Sequence, residues 1–163
     1  MSIALYRIDD RLIHGQVVVG WGQPLELRLI ILVDDDVAAS EWEQELYRMG
    51  VPPEMDVVFS DVAGTAALLT KFTADPRVGM LLVGDIATMH RLVLANPSIR
   101  AVNVGGVHHA LGRTPRLRYV FLTAQEEAGL RSIAAAGVEV TAQDVPGARP
   151  VALDELLAGQ PNS

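Results

Sequence analysis

The chain has 163 residues, half of them apolar, with 13 basic and 20 acidic side chains, a formal net charge of −7 and a pI near 5.0. That is enough for one domain with a real core, and the acidic balance argues against a general nucleic-acid binder, whose footprint is basic. There is no cysteine, which excludes disulfides, thiolate metal sites and cysteine nucleophiles.

No apolar run approaches the roughly 18 residues of a membrane span, so no direct membrane insertion is expected. The first strand-like run opens at Ser2 without a charged leader before it, so the expected compartment is the cytoplasm. In chain order, segments 2–8, 27–33, 55–59, 78–83, 99–104, 119–122 and 138–142 read as strands, short and rich in large or β-branched apolar residues. Several are apolar on both faces, which suits a parallel sheet covered on both sides. Between them lie helical segments. Asp36 can cap 37–49, where Trp42, Leu46 and Met49 recur at helical spacing; Trp42, Leu46 and the 17–21 face are expected in the core, with a homodimer contact as the alternative. Ser60 or Asp61 can open a helix to about Thr73, and Asp85 can cap 86–95, stopped by Asn96-Pro97. Thr123-Ala-Gln-Glu126 is a capping box for a helix ending near Gly137, and 153–157 reads as a short closing helix. Strand and helix alternate throughout. The expected fold is α/β, one domain over 1–163, with a doubly wound, mainly parallel sheet of about seven strands and helices on both faces. The exception is 104–118, read as a long loop rich in Gly, His and Arg; loops of that length are often functional.

In open parallel sheets ligands bind at the carboxyl ends of strands, near the point where strand order reverses. After the first strand, Arg7, Asp9, Asp10, Arg11 and His14 fall within eight residues, followed by Gly15, Gln16 and an apolar run read as a helix start. A helix start offers unpaired N–H groups to an anion. Gly15 lets backbone approach closely, and Arg11 supplies a planar fork for phosphoryl oxygens. Imidazole, largely neutral near pH 7, is a good phosphoryl acceptor. Asp9 or Asp10 can hold the other ring nitrogen or orient Arg11. The set reads as a phosphohistidine site: His14 as acceptor, Arg11 with Asp9 or Asp10 assisting, Asp10 being the catalytic candidate, and Arg7, Gly15, Gln16 and Val17 binding the phosphoryl group.

Other chemistries lack their residues. There is no G-x-G-x-x-G after the first strand and no Walker motif; the only lysine is Lys71, in a helical segment. An Arg-His-Gly phosphatase motif would need Arg where Ile13 stands. Adjacent His108 and His109 rarely aim at one ion, and no spaced ligand supports them, so no metal is expected; lining the pocket or touching a partner is the better role for His108.

The eleven residues from Arg7 to Val17 resemble the signature of the IIB component of the mannose/fructose/sorbose family of bacterial sugar phosphotransferase systems. A second stretch, Asn103-Val-Gly105-Gly106 with the Gly112-Arg113 turn, is similar to that family's other marked segment, which brings Asn103, Gly105, Gly106, His108 and Arg113 in as a possible second loop. The resemblance implies a cofactor-free phosphocarrier. A phosphorylated IIA protein loads Nδ1 of the histidine at position 14, and the group passes to a sugar held by membrane IIC and IID partners. Thr114-Pro115 departs from the Gln or basic residue that many members carry after the glycine turn. Arg113, Arg116 and Arg118 form a basic stripe that can receive an anionic partner, or simply be solvated. Two other classes fit the residues: a regulatory module whose phosphorylation alters a protein contact, and a phosphate- or phosphosugar-binding domain without chemistry.

Overall fold

The computed structural model describes residues 2–158. Its main sheet has seven strands in the order β3-β2-β4-β1-β5-β8-β9, built from β1 (Ser2–Ile8), β2 (Leu29–Val33), β3 (Asp56–Ser60), β4 (Val78–Val83), β5 (Ala101–Val104), β8 (Glu139–Ala142) and β9 (Val151–Ala152). All neighbours pair in parallel except β8 and β9. The chain starts in the middle with β1, builds β2, β3 and β4 on one side, then crosses over to place β5 and β8 on the other. The order therefore reverses at β1, which lies between β4 and β5.

Alternation along the buried strands splits the core between the two faces. Ile31, Leu81, Val83 and Val104 pack with residues of α4 (Ile86–Ala95), α5 (Ala124–Ala135) and α6 (Leu153–Leu156), with Leu68 and Leu69 of α3 (Thr65–Lys71) beside them. Ile30, Leu32, Met80 and Leu82 pack on the other face with Val17, Val18, Trp21 and Leu27, with Val37 of α1 (Asp35–Ala38) and with Tyr47 of α2 (Glu41–Met49). The doubly wound α/β architecture is thus present. Asp85 caps α4, and Thr123 and Glu126 form the reciprocal capping box of α5.

Four expectations need correction. The 119–122 strand does not join the main sheet. As β7 (Val120–Leu122) it pairs antiparallel with β6 (Thr114–Leu117), inside the segment read as loop, and β9 takes the seventh place in the sheet. Pro115 is tolerated because this two-stranded ribbon consists of edges, where a missing N–H costs no ladder bond. The 37–49 helix is two helices. Asp34, not Asp36, caps α1 through the N–H groups of Asp36 and Val37, and Ser40 caps α2 through Glu43. Such side-chain caps compete with helix continuation at the intervening turn. Asp61 Oδ1 accepts the Gly64 N–H at 2.6 Å, so the third helix starts only at Thr65. Finally, Trp42 and Leu46 are not core residues: they are 71% and 50% exposed, as is Met49 beside them at 82%. The 17–21 segment divides, with Val17, Val18 and Trp21 buried and Val19 half exposed.

Candidate functional site

Three strands end in register at the reversal point. Ile8, the last residue of β1, pairs with Val83 and Val104, the last of β4 and β5. The loops beyond are tied together by backbone: Asp9 N–H donates to Val83 O at 2.9 Å, Gly105 N–H to Ile8 O at 2.7 Å, and Asp10 N–H to Gly106 O at 2.8 Å. The loop after β1 turns sharply at Leu12, whose φ of 57° is costly for a side chain with a Cβ. Burial of Leu12 in the core holds that conformation and brings His14 round to the strand ends.

Behind His14 lies a buried chain of charge. The Arg7 side chain, from the penultimate residue of β1, is wholly buried. Its Nη1 donates to Asn103 Oδ1 and, at 2.9 Å, to Gln143 O; its Nη2 donates to Asp144 O at 3.2 Å and to Asp9 Oδ2 at 3.3 Å. The guanidinium also lies 4.8 Å over the Trp21 ring. Asp9, equally buried, presents Oδ1 to His14 Nε2 at 3.1 Å and accepts the Arg11 N–H at 3.2 Å. The His14–Asp9 contact is a close charge contact, and Nε2 has no other partner among the described residues. The ring is only 16% exposed, and Nδ1 is its one nitrogen not shut off from solvent. Burial pulls the His14 pKa below its ordinary value of 6.5; Asp9 opposes this, and Arg11 and Arg7 add to it. His14 is therefore neutral at pH 7, with Nδ1 open and a carboxylate placed to stabilise a positive ring.

Arg11 is exposed at the rim and donates to Gln16 Oε1 at 2.8 Å; Gln16 in turn donates to Asp144 Oδ1 at 2.9 Å. Asp10 faces His108: its Oδ1 is 2.6 Å from His108 Nδ1, and its Oδ2 accepts the His108 N–H at 2.7 Å. Arg113 holds His108 O at 2.7 Å and forks onto Glu126 at 3.0 and 2.8 Å. The N–H groups of Gly15 and Gln16 donate to no partner among the described residues.

The structure brings together His14, Arg11, Gly15 and Gln16 as expected, but it redistributes the other residues. Asp9, not Asp10, backs His14. Arg7 lies wholly buried beneath the loop, its Nη1 and Nη2 bound to Asn103, Asp9 and the carbonyls of Gln143 and Asp144, so it anchors Asp9 rather than opening to the surface. Asn103 is likewise buried as a partner of Arg7. Val17 is buried and its N–H donates to His14 O at 3.0 Å, which removes it as an anion ligand. The segment after Gly15 is a π-helical turn over Gln16–Trp21 rather than an α-helix, so the free donors belong to the loop rather than to a long helix dipole. Gly105 is required for packing, since a Cβ there would collide with the Arg7 guanidinium. Of the basic stripe, Arg113 and Arg116 are paired with Glu126 and Glu127; Arg118 is 91% exposed, 4.0 Å from Asp144. His109 packs edge-on against Phe121, with ring centroids 5.8 Å apart, while His108 turns to Asp10, so the two rings serve different partners. Sequence reading missed Asp144, Gln143 and Trp21. The first two follow β8, so the carboxyl-end rule applied to every strand finds them.

The chain is thus a doubly wound α/β protein with a largely buried histidine at the reversal point of its sheet, backed by a carboxylate and flanked by an arginine. A family model described as the PTS system sorbose subfamily IIB component matches residues 3–162. The chain belongs to that family of phosphotransferase components. It is 34% identical over 149 residues to the N-acetylgalactosamine-specific phosphotransferase enzyme IIB component 1 of Escherichia coli (strain K12), covering 90% of this chain and 92% of that one. To the PTS system mannose-specific EIIAB component of the same organism it is 32% identical over 145 residues, 89% of this chain but 45% of that longer protein. Among solved structures, the IIBSor domain of the sorbose permease from Klebsiella pneumoniae superposes with a TM-score of 0.87 at 28% identity, covering 98% and 99% of the two chains. No helix among the described residues is long and apolar enough to cross a membrane.

Proposed function

We propose that this chain accepts a phosphoryl group on His14 Nδ1 from a phosphohistidine of a IIA protein and passes it to a sugar hydroxyl held by membrane IIC and IID partners, working at the cytoplasmic face. The observation that carries this reading is the Arg7–Asp9–His14 chain, which leaves Nδ1 as the open nitrogen. Neutral His14 attacks phosphorus in line; the donor's P–N bond breaks as the new one forms. The ring becomes cationic, with its Nε2 proton facing Asp9, whose charge is fixed in place by Arg7. Arg11 and the N–H groups of Gly15 and Gln16 take the phosphoryl oxygens, so catalysis rests on position and electrostatics. Onward transfer reverses the charge change: the sugar hydroxyl oxygen bonds to phosphorus and gives its proton to a base on the sugar-binding partner, the P–N pair returns to Nδ1, and the ring leaves as neutral imidazole.

The test is phosphorylation of the purified chain by a phosphorylated IIA protein. Acid-labile, alkali-stable label is expected on the native chain and none on His14→Gln. Label retained by that variant contradicts the assignment.

A further inference from the structure

Two further side chains hold the Arg11 guanidinium at the rim. Arg11 Nη2 donates to Gln16 Oε1 at 2.8 Å, and Gln16 Nε2 donates to Asp144 Oδ1 at 2.9 Å. The two ends of a side-chain amide differ: the nitrogen donates and the oxygen accepts. An ionised carboxylate only accepts, so Asp144 draws the Gln16 NH2 toward itself and turns the amide oxygen to Arg11. Asp144 is itself fixed. Its carbonyl, in the loop after β8, accepts from Arg7 Nη2 at 3.2 Å and from Trp21 Nε1 at 3.1 Å. The same Nη2 reaches Asp9 Oδ2, so one buried guanidinium secures both the carboxylate behind His14 and the loop that carries Asp144. The Asp144 side chain is 26% exposed, and its other oxygen lies 4.0 Å from the exposed Arg118.

Resting on the phosphoryl acceptance proposed above, we infer that Asp144 is a positioning residue of that reaction, turning the Gln16 amide so that its oxygen holds Arg11 ready for the phosphoryl oxygens. Asp144 acts only through Gln16 and Arg11. An exposed arginine loses side-chain entropy when a ligand fixes it, and a guanidinium fixed beforehand loses less. The bond to Gln16 occupies one N–H of Arg11 and leaves the rest of the fork for oxygens. Arg11 stands near enough to the empty ring for its charge to act on His14. With the Gln16 amide reversed, its NH2 would face the guanidinium, donor against donor, and Arg11 would lose its place at the rim. A carboxylate carried by the β8 loop thus sets the geometry of a cation carried by the β1 loop.

The test is a double-mutant cycle on the full chain, with phosphoramidate as donor and 31P NMR following the rate at which His14 loads. Asp144→Ala is expected to slow loading about tenfold, within the range for residues that share one hydrogen-bond network. In an Arg11→Ala background the same change is expected to cost nothing further, because the residue it acts through is gone. Asp144→Asn keeps an acceptor for the Gln16 amide and is expected to restore most of the rate. Gln16→Met breaks the relay and leaves the β8 loop intact, so it is expected to load about as slowly as Asp144→Ala, whether or not that variant folds well. Equal slowing by Asp144→Ala with and without Arg11, or a native rate in Gln16→Met, overturns this inference and leaves the carrier reading standing. A native chain that takes no phosphate on His14 removes the carrier reading, and this inference with it.

Discussion

Asp9→Asn isolates the carboxylate between Arg7 and His14. Both Arg7 and Asp9 are wholly buried, and removing one member of such a pair costs about 3–5 kcal/mol. Arg7 keeps Asn103 Oδ1 and the carbonyls of Gln143 and Asp144, and an Asn oxygen still accepts from it, so the loss falls at the lower end, about 3 kcal/mol. Against a usual stability of about 5–15 kcal/mol, the variant still folds. Its chemistry suffers separately. Without the carboxylate, nothing facing Nε2 offsets the positive ring that forms on phosphorylation, and the Asn amide can turn its NH2 toward that nitrogen. Because Asp9 acts on the ring through its charge and takes no proton, loading is expected to slow about 10²-fold, the lower range for a partner of the reacting imidazole. Urea unfolding gives the stability, and the rate of phosphoramidate loading followed by 31P NMR gives the chemistry. An Asp9→Asn chain that loads at the native rate, at concentrations of urea where both remain folded, refutes the role given to this carboxylate.

The remaining predictions concern the same loops. The Arg11 side chain is exposed and, among the described residues, hydrogen-bonded only to Gln16, so Arg11→Ala is expected to leave the urea midpoint unchanged while slowing phosphoryl transfer about 10²–10³-fold; a native rate removes Arg11 from the site. Gly105→Ala drives a methyl into the trapped Arg7 guanidinium and is expected to cost about 1–3 kcal/mol in unfolding free energy, with slower loading as Asp9 shifts; an unshifted urea midpoint contradicts this packing. The His14 pKa lies below 6.5, so loading is expected to hold its rate through neutral pH, with an acid limb centred below 6.5. Below pH 6.5 the unfolded chain binds the His14 proton before the folded one does. Stability therefore falls as pH drops from about 6.5 to the folded pKa, and that loss is absent in His14→Gln; identical pH slopes for both chains contradict the burial of this ring.

The sheet and its helices were largely legible because buried parallel strands are near-continuous apolar runs, and because Asp85 and the Thr123–Glu126 box sit where the helices they cap begin. The β6–β7 ribbon was not, since Pro115, Arg116 and the Gly112 turn carry loop composition and the strand there is an edge. The Trp42–Leu46–Met49 stripe misled: helical spacing shows that three side chains share a face, not which way that face points. At the site, residue types were legible and partnerships were not. Asp9 and Asp10 are adjacent, and whether one or the other meets His14 depends on the turn at Leu12 and the register of β5, which bring Gly106 and His108 to Asp10. The same register brings Asn103 to Arg7, turning a basic residue near a presumed anion into a buried anchor. Only the fold supplies that information.

In the carrier proposed here, His14 Nδ1 holds the phosphoryl group while Nε2 stays protonated against Asp9. The most direct measurement is 1H–15N and 31P NMR of the chain loaded by a phosphorylated IIA protein. Phosphorus is expected on the Nδ1 of His14 with a proton on the opposite nitrogen; phosphorus on Nε2, on another histidine or on none contradicts that assignment.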